Sequence, residues 1–184
     1  MACWNQDKYL KAWNYASSIH RGQNVPGGDI PYINHIGLVA MEAMAAISQT
    51  DTVGNPDLLV LCALLHDSIE DTDTTHSDVE KEFGTEVADG VMALSKNDKL
   101  SSKEEMMRDS ISRIKSQPKE VWMVKLCDRI TNLQPPPSYW NNEKAEKYRD
   151  EAMLILEQLG EASIFLSNRL KDKIDAYSIY PCKT

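Results

Sequence analysis

The stretch Asn55-Pro56-Asp57-Leu58-Leu59-Val60-Leu61-Cys62-Ala63-Leu64-Leu65-His66-Asp67-Ser68-Ile69-Glu70-Asp71-Thr72-Asp73 decides how the rest of the chain is read. Asn55 is a helix N-cap and Pro56 a first-turn residue. The run from Leu58 to Leu65 is apolar on every face, which predicts a helix buried in a core rather than one lying on a surface. It runs directly into His66, Asp67, Glu70, Asp71 and Asp73. Carboxylates at a helix C-terminus oppose its dipole unless something positive offsets them, and a divalent cation would do so.

Outward from that stretch the pattern stays helical. Tyr9, Leu10, Trp13, Ala16 and Ile19 recur at helical spacing and predict a helix from Trp4 to about Arg21. Gly22 to Pro31 is turn chemistry around Pro26-Gly27-Gly28-Asp29. A helix from Ile33 to about Ile47 carries His35 near its start. Thr75 with Asp78 opens a short helix, and Gly84 separates it from one ending near Leu94. Ser101 with Glu104 resembles a capping box for a helix through Ile114. Pro118 starts a nearly continuous apolar helix interrupted by Asp128, Arg129 and Asn132, and Pro135-Pro136-Pro137 ends it. Two helices, about Ser138 to Leu159 and Ala162 to Tyr177, complete the chain. No alternating strand pattern, repeat or linker appears. The expectation is an all-α, single-domain bundle of eight to ten helices spanning residues 1–184.

Composition fits a soluble globular protein, 42% hydrophobic and 26% charged over 184 residues. The net charge of −8 argues against a general nucleic-acid or anionic-membrane surface, which would need a basic face. No leader-like start or membrane-length apolar run is seen. Cys3, Cys62, Cys127 and Cys182 show no paired spacing. The chain is expected to be cytoplasmic with reduced thiols, Cys62 and Cys127 serving as small buried hydrophobes.

His35, His66, Asp67 and Asp128 each sit in or beside an apolar helix, and consecutive helices of a bundle can converge them. Two imidazoles and two carboxylates suit Mn, Fe or Zn with room for water, whose pKa the ion would lower. Taken singly, the residues have blander readings. His35 fits a hydrogen-bonded core histidine, Asp128 half of an ion pair with Lys125 or Arg129, and Glu70, Asp71 and Asp73 a solvated helix end.

Three segments carry a resemblance. Tyr32-Ile33-Asn34-His35, then Ala63-Leu64-Leu65-His66-Asp67-Ser68-Ile69-Glu70-Asp71-Thr72-Asp73, then Val124-Lys125-Leu126-Cys127-Asp128-Arg129-Ile130-Thr131-Asn132-Leu133, resemble in order the HD-superfamily hydrolase domain of the RelA/SpoT alarmone enzymes. The resemblance extends from about His20 to Leu159, and the short length is similar to that of the small alarmone hydrolases. It implies an HD-type phosphohydrolase fold holding one Mn(II) on His35, His66, Asp67 and Asp128, with Glu70 and Asp71 as the catalytic pair. It also implies removal of the 3′-pyrophosphate from a hyperphosphorylated nucleotide, (p)ppGpp or (p)ppApp. Arg21, Asn24, Lys96, Lys99, Asn132 and Tyr148 are the expected substrate contacts, with Lys125, Arg129 and Lys147 as further candidate phosphate partners.

One departure bears on the base. Guanosine-specific members carry an Arg-Lys pair after the Gly-Gln that matches Gly22-Gln23, whereas this chain has Asn24-Val25-Pro26-Gly27-Gly28. Loss of a stacking guanidinium brings an adenosine alarmone into consideration. Two other readings stay open: a phosphohydrolase acting on another nucleotide such as NADPH, and a catalytically silent alarmone-binding module. The partner is a small nucleotide, and homo-oligomerisation is left open.

Overall fold

The computed structural model describes residues 3–49, 53–136 and 139–177, and in it the apolar periodicity becomes helix throughout. The order is α1 (Gln6–Ile19), α2 (Ile33–Gln49), α3 (Pro56–Leu65), α4 (Ser68–Asp71), α5 (His76–Phe83), α6 (Thr85–Leu94), α7 (Lys103–Lys115), α8 (Lys119–Asn132), α9 (Asn142–Leu159) and α10 (Ile164–Tyr177), with a 3₁₀ turn at Gly160–Ala162. Among the described residues there is no strand, only an isolated antiparallel bridge between Asn24 and Pro31. No described helix is long and apolar enough to cross a membrane.

Helix α3 is buried at every position from Leu58 to Leu65, as its all-round apolarity requires. It is wrapped by α1, α2, α6 and α8. Helix α8 is almost as deeply placed and carries its own charges inward, with Glu120, Asp128 and Arg129 all buried. Helices α9 and α10 close the far side of α8. Cys62 and Cys127 are free thiols at zero exposure, in agreement with a hydrophobic role; Cys182 lies outside the described residues.

Two close fits fix the packing. A Cβ at Gly90 of α6 would lie 2.8 Å from Cys62 Sγ and 3.0 Å from Val121 Cγ2, so only glycine lets α6 approach α3 and α8 this closely. The buried Glu42 carboxylate on α2 takes a two-pronged guanidinium from Arg169 of α10, both contacts at 2.5 Å. That pair satisfies a charge that the core could not otherwise hold.

Helix ends differ from the sequence expectations in instructive ways. Asn55 caps α3 by accepting from Leu58 N at 3.1 Å, and Thr75 with Asp78 forms the expected capping box. At α7 the cap is Ser102, not Ser101. Both serines precede a glutamate at the right spacing, but Ser102 accepts from Glu105 N while Ser101 binds the Glu105 carboxylate. Helix α9 begins at Asn142 behind its cap Asn141, later than expected; Pro137 and Ser138 lie outside the described residues.

Helix α3 ends at Leu65 with His66 as its C-cap, where the sequence puts the close of this helix. Ser68 Oγ donates to Leu65 O at 2.6 Å and His66 Nδ1 donates to Ala63 O at 2.9 Å. Side chains thus take carbonyls that the next helical turn would have used. The chain bends at Asp67, and Glu70 and Asp71 ride on the separate turn α4.

Replacing Gly90 with Ala is expected to cost about 1–3 kcal/mol, read by denaturant unfolding, because the added methyl meets packed sulfur and methyl groups. Asp57 ties the starts of α1 and α3 together, accepting from Asn5 N at 2.7 Å and from Lys8 Nζ at 2.6 Å. Although burial acts the other way, these bonds hold its carboxyl below the ordinary value of 3.8. A depressed carboxylate adds stability above its unfolded pKa and loses it as pH falls through the folded one. Asp57→Asn should therefore be less stable than the parent chain at neutral pH, and the two melting curves should converge as pH drops below 3.8.

Candidate active site

The α3–α4 bend points His66 and Asp67 toward the first turn of α2 and the last turns of α8. His35 Nε2 and His66 Nε2 face one another at 3.3 Å. Asp67 Oδ2 lies 2.9 Å from His66 Nε2 and 3.5 Å from His35 Nε2. Asp128 Oδ1 lies 3.6 Å from His35 Nε2 and 3.9 Å from His66 Nε2. Donor atoms of His35, His66 and Asp128 all fall within 4.8 Å of one another, and Asp67 joins through its contacts with both imidazoles.

The donor chemistry fits a divalent ion. Because Ala63 O can only accept, His66 Nδ1 carries the proton in that bond and Nε2 is the nitrogen turned to the site. Two imidazole nitrogens set nose to nose beside two carboxylates make poor partners for each other and a good nest for positive charge. The electrostatics agree. Burial opposes charging of His66, but Asp67 and Asp128 outweigh it and push the imidazole up to about 9. Against its own burial, Asp67 is held well below the usual carboxylate range by His66, His35 and Tyr32. Asp128 is lowered likewise by Lys125 and His66.

Neighbouring side chains hold these groups in place. On α8, Lys125 Nζ reaches Asp128 Oδ2 at 3.3 Å and Asn132 Nδ2 donates to Asp128 Oδ1 at 2.5 Å, from positions one turn before and after it. Tyr32 donates its hydroxyl to Asp67 Oδ2 at 2.6 Å. Burial and then the charges of Asp67 and Asp71 push the Tyr32 phenol far above its ordinary range, so it stays a donor. Tyr32 is not among the site residues expected from the sequence; its place three residues before His35, on the same side of a nascent helix, is the available signal.

Glu70 and Asp71 are carried on α4, beyond the bend. Glu70 is clasped by Lys96, whose backbone N donates to Oε2 at 2.8 Å and whose ammonium bonds Oε1. The Asp71 carboxyl is raised above its usual range, first by burial and then by the negative charges of Asp67 and Glu70.

The remaining expected contacts have different surroundings. Arg21, Asn24 and Lys99 are exposed. The Tyr148 ring is covered by the Arg129 guanidinium at 4.4 Å and by Trp140 edge-on at 5.2 Å. Lys147 pairs with Glu143 at 2.8 Å and lines a cleft with Lys103 and Arg108, apart from the His-Asp cluster.

Replacing Tyr32 with Phe removes a bond to a largely buried carboxylate and is expected to cost about 1.5–3 kcal/mol in denaturant unfolding.

Residues 12–162 match the HD domain model. The guanosine-3′,5′-bis(diphosphate) 3′-pyrophosphohydrolase MESH1 of Drosophila melanogaster is 30% identical over 164 residues, covering 86% of this chain and 88% of that protein. Its Homo sapiens namesake is 33% identical over 170 residues, covering 88% and 90%. A solved structure reported under the words "A metazoan ortholog of SpoT hydrolyzes ppGpp and plays a role in starvation responses" superposes with a TM-score of 0.80 at 27% identity, over 95% of this chain and 98% of that one.

Proposed function

Because the chain belongs to the HD-domain family, in the group of the MESH1 3′-pyrophosphohydrolases, we propose that it is a hydrolase removing the 3′-pyrophosphate of guanosine-3′,5′-bis(diphosphate) and its 5′-triphosphate counterpart. The observation that carries this reading is the convergence of His35, His66, Asp67 and Asp128 beside a lysine-clasped Glu70. Filled by a divalent cation, such a centre would give an acidic chain a local positive focus for a polyanionic substrate.

His35, His66, Asp67 and Asp128 would hold one divalent ion, most simply Mn(II), given a mixed nitrogen and oxygen set without thiolate. When bound, the ion supplies Lewis-acid polarisation of a phosphoryl oxygen and a lowered pKa for water. Asn132 and Lys125 hold Asp128, and Tyr32 holds Asp67, so the donor set is arranged before substrate arrives. Glu70, fixed by two contacts from Lys96, accepts the proton of the attacking water. Asp71, next to Glu70 on the same turn, would pass that proton on to the departing ribose 3′-oxygen. Water thus supplies the oxygen taken up by pyrophosphate and the proton left on O3′. Lys96, about half exposed at 52%, can meet a phosphate while still clasping Glu70, and Arg21 and Lys99 lie exposed for the outer phosphates.

The loop between α1 and α2 favours a second substrate of the same class, the adenosine alarmone. No cation stands between Gln23 and Tyr32. Instead Val25-Pro26-Gly27-Gly28 makes a tight turn, with Gly28 N bonded to Val25 O at 3.3 Å and Gly27 at a φ of 87°. The Tyr139 ring lies where a Cβ on Gly27 would come within 3.6 Å of it, so an aromatic rather than a guanidinium borders this loop.

Purified protein supplied with Mn(II) is expected to release pyrophosphate from ppGpp, ppApp or both, with NADPH as the comparison substrate. No turnover of either alarmone by ion-loaded protein would overturn the reading. Glu70→Gln should keep its ion content while losing about 10²–10⁴ in rate, and Asp128→Ala should fail to retain the ion on dialysis.

A further inference from the structure

We propose that His20 and Gln23 are positioning residues that set the α4 turn for hydrolysis, His20 acting through the Gln23 amide on the backbone carbonyl of Asp71. This inference rests on the hydrolase reading above and adds to it the origin of the catalytic turn's geometry.

Helix α4 is only four residues long, too short to hold itself, and it carries both Glu70 and Asp71. Its Asp71 carbonyl has no helical turn after it to donate to it. Gln23 Nε2 donates to that carbonyl at 2.7 Å, across 48 residues of sequence. A carbonyl only accepts, so the amide orientation of Gln23 is determined: nitrogen toward Asp71, oxygen toward His20. Gln23 Oε1 lies 2.7 Å from His20 Nδ1, so Nδ1 must carry the proton. The other ring nitrogen, His20 Nε2, is buried with no hydrogen-bond partner among the described residues.

An imidazole at 3% exposure with one nitrogen unsatisfied is an expensive way to fill space. An apolar side chain would pack there at less cost, and what it would lack is the Nδ1 donor. His20 also ends α1, its own N–H bonded to Ala16 O at 3.1 Å, so the donor is anchored on a full-length helix. A second path runs from the same ring. His20 packs against Tyr32 with ring centroids 5.1 Å apart, and Tyr32 holds Asp67. Gln23 O accepts from Tyr32 N at 2.9 Å, which locks the two paths together. The end of α1 therefore sets the relative placement of the Asp67 carboxylate and the Glu70-Asp71 turn, acting through Tyr32 and the Asp71 carbonyl.

The test compares His20→Ala, His20→Asn, His20→Gln and Gln23→Leu in the full chain loaded with Mn(II). Asparagine places an amide N–H near the position of Nδ1, whereas glutamine places it near Nε2. His20→Ala, His20→Gln and Gln23→Leu are expected to lower kcat on the preferred alarmone by about ten- to a hundredfold with KM and bound Mn(II) unchanged. His20→Asn should recover most of that loss, although it loses the same ring packing and should melt as low as His20→Ala. Amide hydrogen exchange over residues 67–72, measured without substrate, should quicken in His20→Ala and Gln23→Leu and return toward the parent rate in His20→Asn. Unchanged exchange and kcat in Gln23→Leu, or a His20→Asn variant no better than His20→Ala, would overturn the proposal. An inactive parent chain would sink the hydrolase reading instead, and the exchange measurement would still decide whether His20 and Gln23 order the turn.

Discussion

Two carboxylates and two imidazoles are forced together inside an apolar bundle, and much of the structure follows from making that tolerable. Asp67 and Asp128 have side chains only 17% and 12% exposed, so water solvates them only in part. Each is met by several donors: Tyr32 and His66 for Asp67, Lys125 and Asn132 for Asp128. Buried charge of this kind is stable only when paired and hydrogen-bonded. The same requirement recurs at Glu42, where Arg169 reaches in from α10. The bundle is thus apolar in bulk and braced at a few points by paired charge.

The bend between α3 and α4 turns this arrangement into something able to do chemistry. Had α3 run on, His66, Asp67, Glu70 and Asp71 would have stayed on one helical surface with fixed spacing. Because Ser68 and His66 end the helix, the donor pair faces α2 and α8 while the acidic turn is free to be aimed by other parts of the chain. Lys96 aims Glu70 from beyond α6, and Gln23 holds the end of the turn from the α1–α2 loop. The acidic turn and the ion-holding groups are therefore separate in the chain, and Gln23 and Tyr32 of the α1–α2 loop tie one to the other.

Much of the fold is legible in the sequence because it rests on local rules. The apolar run of α3, the Asn55-Pro56 opening and the Thr75-Asp78 box each encode their outcome within a few residues. The α7 start is ambiguous by one position because Ser101 and Ser102 both satisfy the same local pattern, and only the bonded geometry separates them. The members of the His-Asp cluster are visible as residue types, and the resemblance joins them across intervening helices. Tyr32, His20 and the clasp of Lys96 on Glu70 are not legible as a network, since each depends on contacts between segments that no periodicity links. From the sequence Lys96 is expected only as a phosphate contact, and its hold on Glu70 emerges from the folded chain.

The convergence of α2, α3 and α8 on one point has a thermodynamic consequence. His35 and His66 are 31 residues apart in sequence, and Asp128 lies further along on a third helix, so no unfolded segment presents these donors together. A ligand that engages the whole cluster favours the native chain, and by mass action it shifts the folding equilibrium by an amount set by its concentration relative to its dissociation constant. Occupancy of the centre and integrity of the bundle are then linked variables. Scarcity of the ion would be felt as a lowered resistance to unfolding as well as a slower reaction, which makes the abundance of intact protein itself a readout of ion supply.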